Sequence, residues 1–219
     1  MYAFPGFEPA DFAVFSVPGF HDRMSALRMR IRPKLMVLGD DMAPELSAII
    51  GHEMIPHVAS HARRRVNPPE DTWVSFSRSP RGYKRYAHFE VGLSRRGVFV
   101  RFVLKPEGVD DKPRLLELLA RRGRAVFADL HDPDPIFWFR SDHGDEPYPI
   151  SRIDESAFAR ILEATRLKTR GFTVGVEIPG QNPLVASPAL VERSLAICRH
   201  LAPLYWGTVG REPEAASWA

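Results

Sequence analysis

The stretch PHVASHARRRVNPPEDTW, residues 56–73, sets His57 and His61 four residues apart, follows them with Arg63, Arg64 and Arg65, and stops at Asn67 and a double proline. Proline suits a first helical turn, so the spacing predicts a helix beginning near Pro56. On it Val58, Ala62 and Val66 form a buried stripe, while His57, His61 and Arg64 lie at i, i+4 and i+7 on a neighbouring one. Two imidazoles that reach one point allow three chemistries. As metal ligands they need further donors, for which His88 and the pair Asp142 and His143 are the remote candidates; the acid of an H-E-x-x-H motif is missing and three arginines oppose a cation. As acid–base catalysts, together with His88 and His143, they exploit a ring that titrates near neutrality. As part of an anion site they join arginine forks that grip phosphate or carboxylate.

The segment RSPRGYKRYAHF, residues 78–89, favours the anion reading by interleaving Arg78, Arg81, Lys84 and Arg85 with Tyr83, Tyr86 and Phe89. Bases stack on such aromatics while phosphates pair with the cations, so a nucleotide or a single-stranded nucleic acid fits. No Walker or Rossmann glycine loop accompanies it. The expected ligand set is Arg64, Asn67, Arg81, Tyr83 and Lys84, in which Arg64, Arg81 and Lys84 hold the anion, Tyr83 stacks, and His57 and His61 donate or shuttle protons. Arg63 and Arg65 are explained more simply, as a solvated helix C-terminus that satisfies the dipole. A metal-dependent hydrolase using His57, His61, His88 and Asp142 or His143 is the first alternative, and a nucleic-acid-binding module the second. There is no G-x-S-x-G elbow, and Cys198 lies in an apolar helix where an inert thiol is expected.

Periodicity supplies the elements that must position these residues. Residues 22–38 carry Met24, Leu27, Ile31, Leu35 and Leu38 at helical spacing, with Pro33 expected to kink or divide the helix and Gly39 to punctuate it; a shorter helix, PELSAIIG, ends at Gly51. After Pro69 the period becomes two, and TWVSFSR, HFEVGLS, GVFVRFVLK and GFTVGVEI read as strands. A turn at Arg95 and Arg96 pairs Leu93 with Val98, Val91 with Val100 and Phe89 with Phe102 toward the core, and Glu90 with Arg101 on the other face beside His88. DKPRLLELLARRG reads as a helix stopped by Gly123, and a brief strand sits in the aromatic run of residues 136–139. Asp154 caps a further helix with Phe158, Ile161, Leu162 and Leu167 as its stripe, and a last helix runs from Pro188 to about Leu204. The expected class is α+β, an antiparallel sheet of about four to six strands packed with several helices.

With 219 residues and 44% hydrophobic content, one domain over residues 1–219 is expected, with its core at about 6–205 and a flexible tail over 207–219. Thirty Lys and Arg against 27 Asp and Glu give a net charge of +3, which permits nucleic-acid binding without demanding it. A single cysteine excludes an intramolecular disulfide framework, and neither a signal peptide nor a membrane span is read, so a cytoplasmic protein is expected. No particular cofactor or oligomeric state follows.

The runs HVASHARRRVNPPEDTWVSF, RGYK and HFEVGL, and the later DH before a Pro-rich turn, resemble the YktB-like family of uncharacterised proteins from Bacillus and related bacteria. GFEPADFAVF and RMSALRMRIRPKL are similar too, so the resemblance covers most of residues 6–205. It implies an α+β fold of cytosolic bacterial type and brings no activity with it. The matched polar positions are His57, His61, Arg63, Arg64, Asn67, Arg81, Gly82, Tyr83, Lys84, His88, Asp142 and His143. A glutamate often stands in that pattern where this chain has His52, which makes His52 a weaker ligand candidate.

Overall fold

The computed structural model describes residues 2–130, 137–141 and 146–210. Seven strands, β1 (Ile55–Val58), β2 (Asp71–Ser77), β3 (His88–Ser94), β4 (Gly97–Leu104), β5 (Phe137–Arg140), β6 (Tyr148–Pro149) and β7 (Phe172–Pro179), form one sheet in the order β1-β2-β3-β4-β7-β5-β6. Every pairing is antiparallel. The α+β class therefore holds, with one strand more than the expected upper number.

Register follows the alternation of side chains. Leu93 faces Val98, Val91 faces Val100, Phe89 faces Phe102 and Glu90 faces Arg101, as the hairpin pattern requires. Val174, Val176 and Ile178 extend the same apolar face into β7. Helices cover that face. α3 (Arg32–Ile50) packs on β1 and β2, and α6 (Ala189–Val209) packs on β3, β4 and β7, with Tyr205 stacked on Phe89 at 5.4 Å. α4 (Lys112–Asp129) and α5 (Glu155–Arg166) form an outer layer, α4 against α6 and α5 against α4. The two short helices α1 (Pro9–Ala13) and α2 (Phe20–Ala26) precede this layer. The N-terminal segment is tied down by Phe7 N–H donating to Val185 O at 2.7 Å, and by buried Asp11 accepting from Arg30 at 2.7 Å and Lys34 at 2.6 Å.

Several expectations change. The helix predicted from Pro56 is absent: residues 55–58 are the edge strand β1, and a turn-rich loop runs from there to β2. Pairing with β2 outweighs the helical spacing, and an edge strand tolerates Pro56. Val66, expected on a buried stripe, is 77% exposed, and Arg63 and Arg65 end no helix. The helix predicted over residues 22–38 is divided near Pro33, as expected, into α2 and α3: a π turn over Leu27–Ile31, closed by Arg32 N–H on Leu27 O, carries the chain past a residue that has no N–H to give.

Gly39 and Gly123 lie inside α3 and α4 rather than at their ends. A side chain at Gly39 would stand 3.1 Å from Pro56 Cβ and Val74 Cγ2, and one at Gly123 would overlap the Phe158 ring, so both mark close packing. Asp154 caps α5 as expected, accepting from Ala157 N–H at 2.7 Å, whereas Leu167 lies beyond the helix and is 55% exposed. α6 continues through residues that were assigned to the tail, up to Val209. Replacing Gly39 with leucine tests the packing role: intrinsic helix propensity favours the change by about 1 kcal/mol, while overpacking costs about 1–3 kcal/mol. We expect a net loss of stability, read as a lower urea midpoint.

Candidate functional site

The face of the sheet opposite the helices carries the polar half of each strand's alternation. Across it run His57, Ser75, Glu90, Arg101, Gly175 and Trp138, each the cross-strand partner of the one before. Glu90 sits at the centre, fully buried. Arg101 donates to its Oε2 from Nε at 2.9 Å and from Nη2 at 2.6 Å, Lys105 Nζ forms an ion pair with its Oε1 at 3.0 Å, and His88 Nε2 lies 3.1 Å from the same Oε1. Burial alone pushes the Glu90 carboxyl up, but Lys105, Arg101 and His88 outweigh it and hold the group well below the usual carboxylate range.

Aromatic rings cover these charges. The Arg101 guanidinium lies 3.9 Å from the centre of the Phe99 ring, and the Lys105 ammonium lies 4.7 Å over Trp73 and 5.6 Å over Tyr83. Tyr83 also packs edge-on against His88 at 5.0 Å. Its hydroxyl faces Trp73 and Ser75, and burial followed by the charge of Glu90 pushes its pKa up to about 12. Tyr83 is thus a cover over the charge cluster, held by the 78–87 loop, and not the free stacking platform expected for it.

The histidines meet this layer from loops and an edge strand, not from one helix. His57, on β1, donates from Nε2 to Ser79 O at 2.8 Å, with its ring 6.1 Å from that of Tyr83. His61 has a positive φ of 51°, a turn conformation that histidine tolerates better than most residues. Its Nε2 contacts Thr72 Oγ1 at 3.1 Å and its ring stands perpendicular to Trp73. Burial first, and then the charges of Arg64, Lys84 and Lys105, lower its pKa to about 4 against the pull of Asp71.

Among the other expected ligand residues, Arg64, Asn67, Arg81 and Lys84 are all exposed on the two loops that rim this layer. Arg64 reaches back to Asn67 O at 3.4 Å, and Arg81 N–H donates to Ser79 Oγ at 3.3 Å. His88 is fully buried with both ring nitrogens engaged, one by Tyr86 O at 2.7 Å and the other by Glu90. Among the described residues no three His, Cys, Asp or Glu side chains converge to hold a metal ion. Asp142 and His143, like Asp132, Asp134 and Trp218, lie outside the described residues. Cys198 is buried and its thiol pKa is pushed up by that burial, consistent with an inert group. No described helix is long and apolar enough to cross a membrane. Sequence reasoning missed Lys105. The signal was present, because Arg101, Val103 and Lys105 alternate onto one face of the strand GVFVRFVLK.

Comparison with known proteins adds a frame for this arrangement. A family model described as a domain of unknown function, DUF1054, matches residues 7–205. A UPF0637 protein of Bacillus velezensis is 49% identical over 113 residues, 51% of this chain and 54% of that protein. One from Bacillus licheniformis is 53% identical over 98 residues, 45% of this chain and 46% of that protein, so these two alignments span about half of each relative. A UPF0637 protein of Listeria monocytogenes is 33% identical over 204 residues, 92% of this chain and 97% of that protein.

Two outcomes follow from the charge layer. Glu90→Gln leaves Arg101 and Lys105 buried without their carboxylate and is expected to cost about 3–5 kcal/mol in denaturant unfolding. His61, whose folded pKa lies below its unfolded value, stays neutral in the fold while the unfolded chain takes up a proton. Its contribution is complete above about pH 6.5 and is lost as the pH falls toward about 4. His61→Asn, which keeps a residue tolerant of positive φ, should therefore flatten the dependence of the unfolding midpoint on pH across that window.

Proposed function

The chain belongs to the DUF1054 family, whose description supplies no activity, and from the site itself we propose that the protein binds a phosphate-bearing or other anionic ligand. The binding surface is the rim formed by residues 57–67 and 81–88. The observation that carries this reading is the exposure of Arg64, Arg81 and Lys84 on the two loops that rim the buried cluster of Glu90, Arg101 and Lys105. Lys105 is 11% exposed and fixed on Glu90, so it acts from beneath as a source of positive potential. Arg64, Arg81 and Lys84 are exposed and supply the direct, charge-assisted hydrogen bonds to the anion. His61 remains neutral near pH 7, which makes it a hydrogen-bonding neighbour of the ligand and not a charge partner.

The test is a thermal-shift and calorimetric titration with inorganic phosphate, pyrophosphate, AMP and ATP on the wild type and on an Arg64→Ala, Lys84→Ala double variant. A ligand that binds only the folded chain raises its melting temperature. Each charged hydrogen bond contributes about 1.5–3 kcal/mol, so the double variant should bind the responding anions at least tenfold more weakly. Unchanged affinity for every anion that binds the wild type would refute the assignment. A single-stranded oligonucleotide bound with a steep loss of affinity in salt would move the ligand class to nucleic acid.

A further inference from the structure

Arg63, Arg64 and Arg65 end no helix, so a helix dipole does not account for three consecutive arginines. Arg65 Nη1 donates to Ala62 O at 3.2 Å and Arg64 Nη1 to Asn67 O at 3.4 Å, bonds within one short loop that leave both side chains exposed. Among the described residues none of Arg63, Arg64, Arg65, Arg81 and Lys84 forms an ion pair, and Arg85 comes only within 3.9 Å of the exposed Asp110. Residues 57–85 hold seven Arg and Lys against two Asp and Glu, a net charge of +5 in a chain that totals +3. Of these groups Asp71 is turned toward Arg101 at 3.7 Å, and Arg78 is spent on buried Asp111 at 2.8 Å. Six exposed cations and one exposed acid, Glu70, remain.

The loop over residues 59–70 enters β2 and the loop over residues 78–87 leaves it, yet both fold onto the same face. The His61 ring stands 5.5 Å from that of Trp73, the Tyr83 hydroxyl faces Trp73, and the rings of His57 and Tyr83 are 6.1 Å apart. One buried carboxylate fixes both ends of the second loop: Asp111 accepts from Arg78 at its start and from Ala87 N–H at its end, the latter at 2.7 Å. The cations of that loop are positioned before a ligand arrives, which reduces the ordering cost of binding.

An exposed cation gains little from a single exposed anion in water. A polyanion changes this, because each cation that neutralises a phosphate releases counterions already condensed on the chain. Neither loop presents an exposed aromatic ring, since Tyr83 is turned inward and Arg78 lies 4.6 Å over Tyr86. The bases of a single strand therefore find no stacking platform, whereas a duplex keeps its bases stacked and turns its phosphates outward. Val66 is the one large apolar side chain exposed in either loop, too little to insert into a bilayer. We infer that the anion held at the rim is the phosphate backbone of a nucleic-acid duplex, bound without regard to sequence by Arg63, Arg64, Arg65, Arg81, Lys84 and Arg85, an inference that rests on the anion reading above.

The experiment follows the fluorescence anisotropy of a short labelled DNA duplex, an RNA duplex and an oligothymidylate single strand with the full chain across a salt series, and titrates pyrophosphate and phosphatidylserine vesicles alongside. Six phosphate contacts predict about a thousandfold loss of duplex affinity between about 50 and 200 mM salt. Arg63→Ala with Arg65→Ala should lower the slope of log affinity against log salt by about two and leave pyrophosphate binding unchanged. Arg64→Ala with Lys84→Ala should weaken duplex and pyrophosphate together. All four side chains are exposed, so the fold survives their replacement. Tighter binding of the DNA or of the RNA duplex supports the inference and identifies which helix is the partner. Duplex affinity indifferent to Arg63 and Arg65, with pyrophosphate still dependent on Arg64 and Lys84, overturns the duplex and leaves the anion reading standing. A duplex whose salt slope falls in the Arg63, Arg65 variant while no small anion binds supports the duplex and overturns the rim as a small-anion site. A single strand or a vesicle bound more tightly than either duplex overturns the duplex as partner. If neither duplex binds, the inference falls.

Discussion

Glu90 is enclosed on the face of the sheet opposite α3 and α6, and a carboxylate removed from water costs several kcal/mol unless cations come with it. Arg101 closes on one oxygen from the neighbouring strand and Lys105 on the other from that strand's continuation. The register of β3 and β4 is therefore an electrostatic condition as well as a hydrophobic one, since a slip of one residue would set an apolar side chain against the charge. The cations then seat the aromatics, Phe99 under Arg101 and Trp73 and Tyr83 about Lys105. Tyr83 anchors the 78–87 loop, and Trp73 is the ring against which His61 stands. One buried carboxylate thus determines where two exposed basic loops come to rest.

The charges at the rim come from arginine and lysine, whereas the histidines beside them are bonded to Ser79 O and Thr72 Oγ1 and contribute shape and hydrogen bonding.

What was legible in the sequence was local. The alternation in HFEVGLS and GVFVRFVLK fixed a hairpin register to the residue, and Asp154 declared its helix cap, because both depend on neighbours a few positions away. The histidine segment was misjudged because Val58, Ala62 and Val66 happen to fall at helical spacing, while the deciding interaction is the pairing of Ile55–Val58 with a strand that begins at Asp71. Gly39 and Gly123 read as punctuation in the sequence because their reason for being glycine, the nearness of Val74 and Phe158, lies on other elements. For the candidate site, residue types pointed to the loops over residues 57–67 and 81–88, and the frame that holds those loops lay hidden in the polar positions of the strands. Glu90 and Arg101 were visible as a pair. That they are buried together beneath Tyr83 and Trp73 depends on tertiary structure.

β4 is an interior strand only because β7 lies beside it, and residues 97–104 pair with residues 172–179. A chain emerging from the ribosome completes β2, β3 and β4 long before β7 exists, so Val98, Val100 and Phe102 first stand on an unpaired edge, also without α6 to cover them. The first residues wait longer still, since Phe7 closes on Val185. Folding of this protein is consequently weighted toward the end of synthesis, and the interval between residues 104 and 172 is when the nascent chain is most open to pairing with the wrong strand.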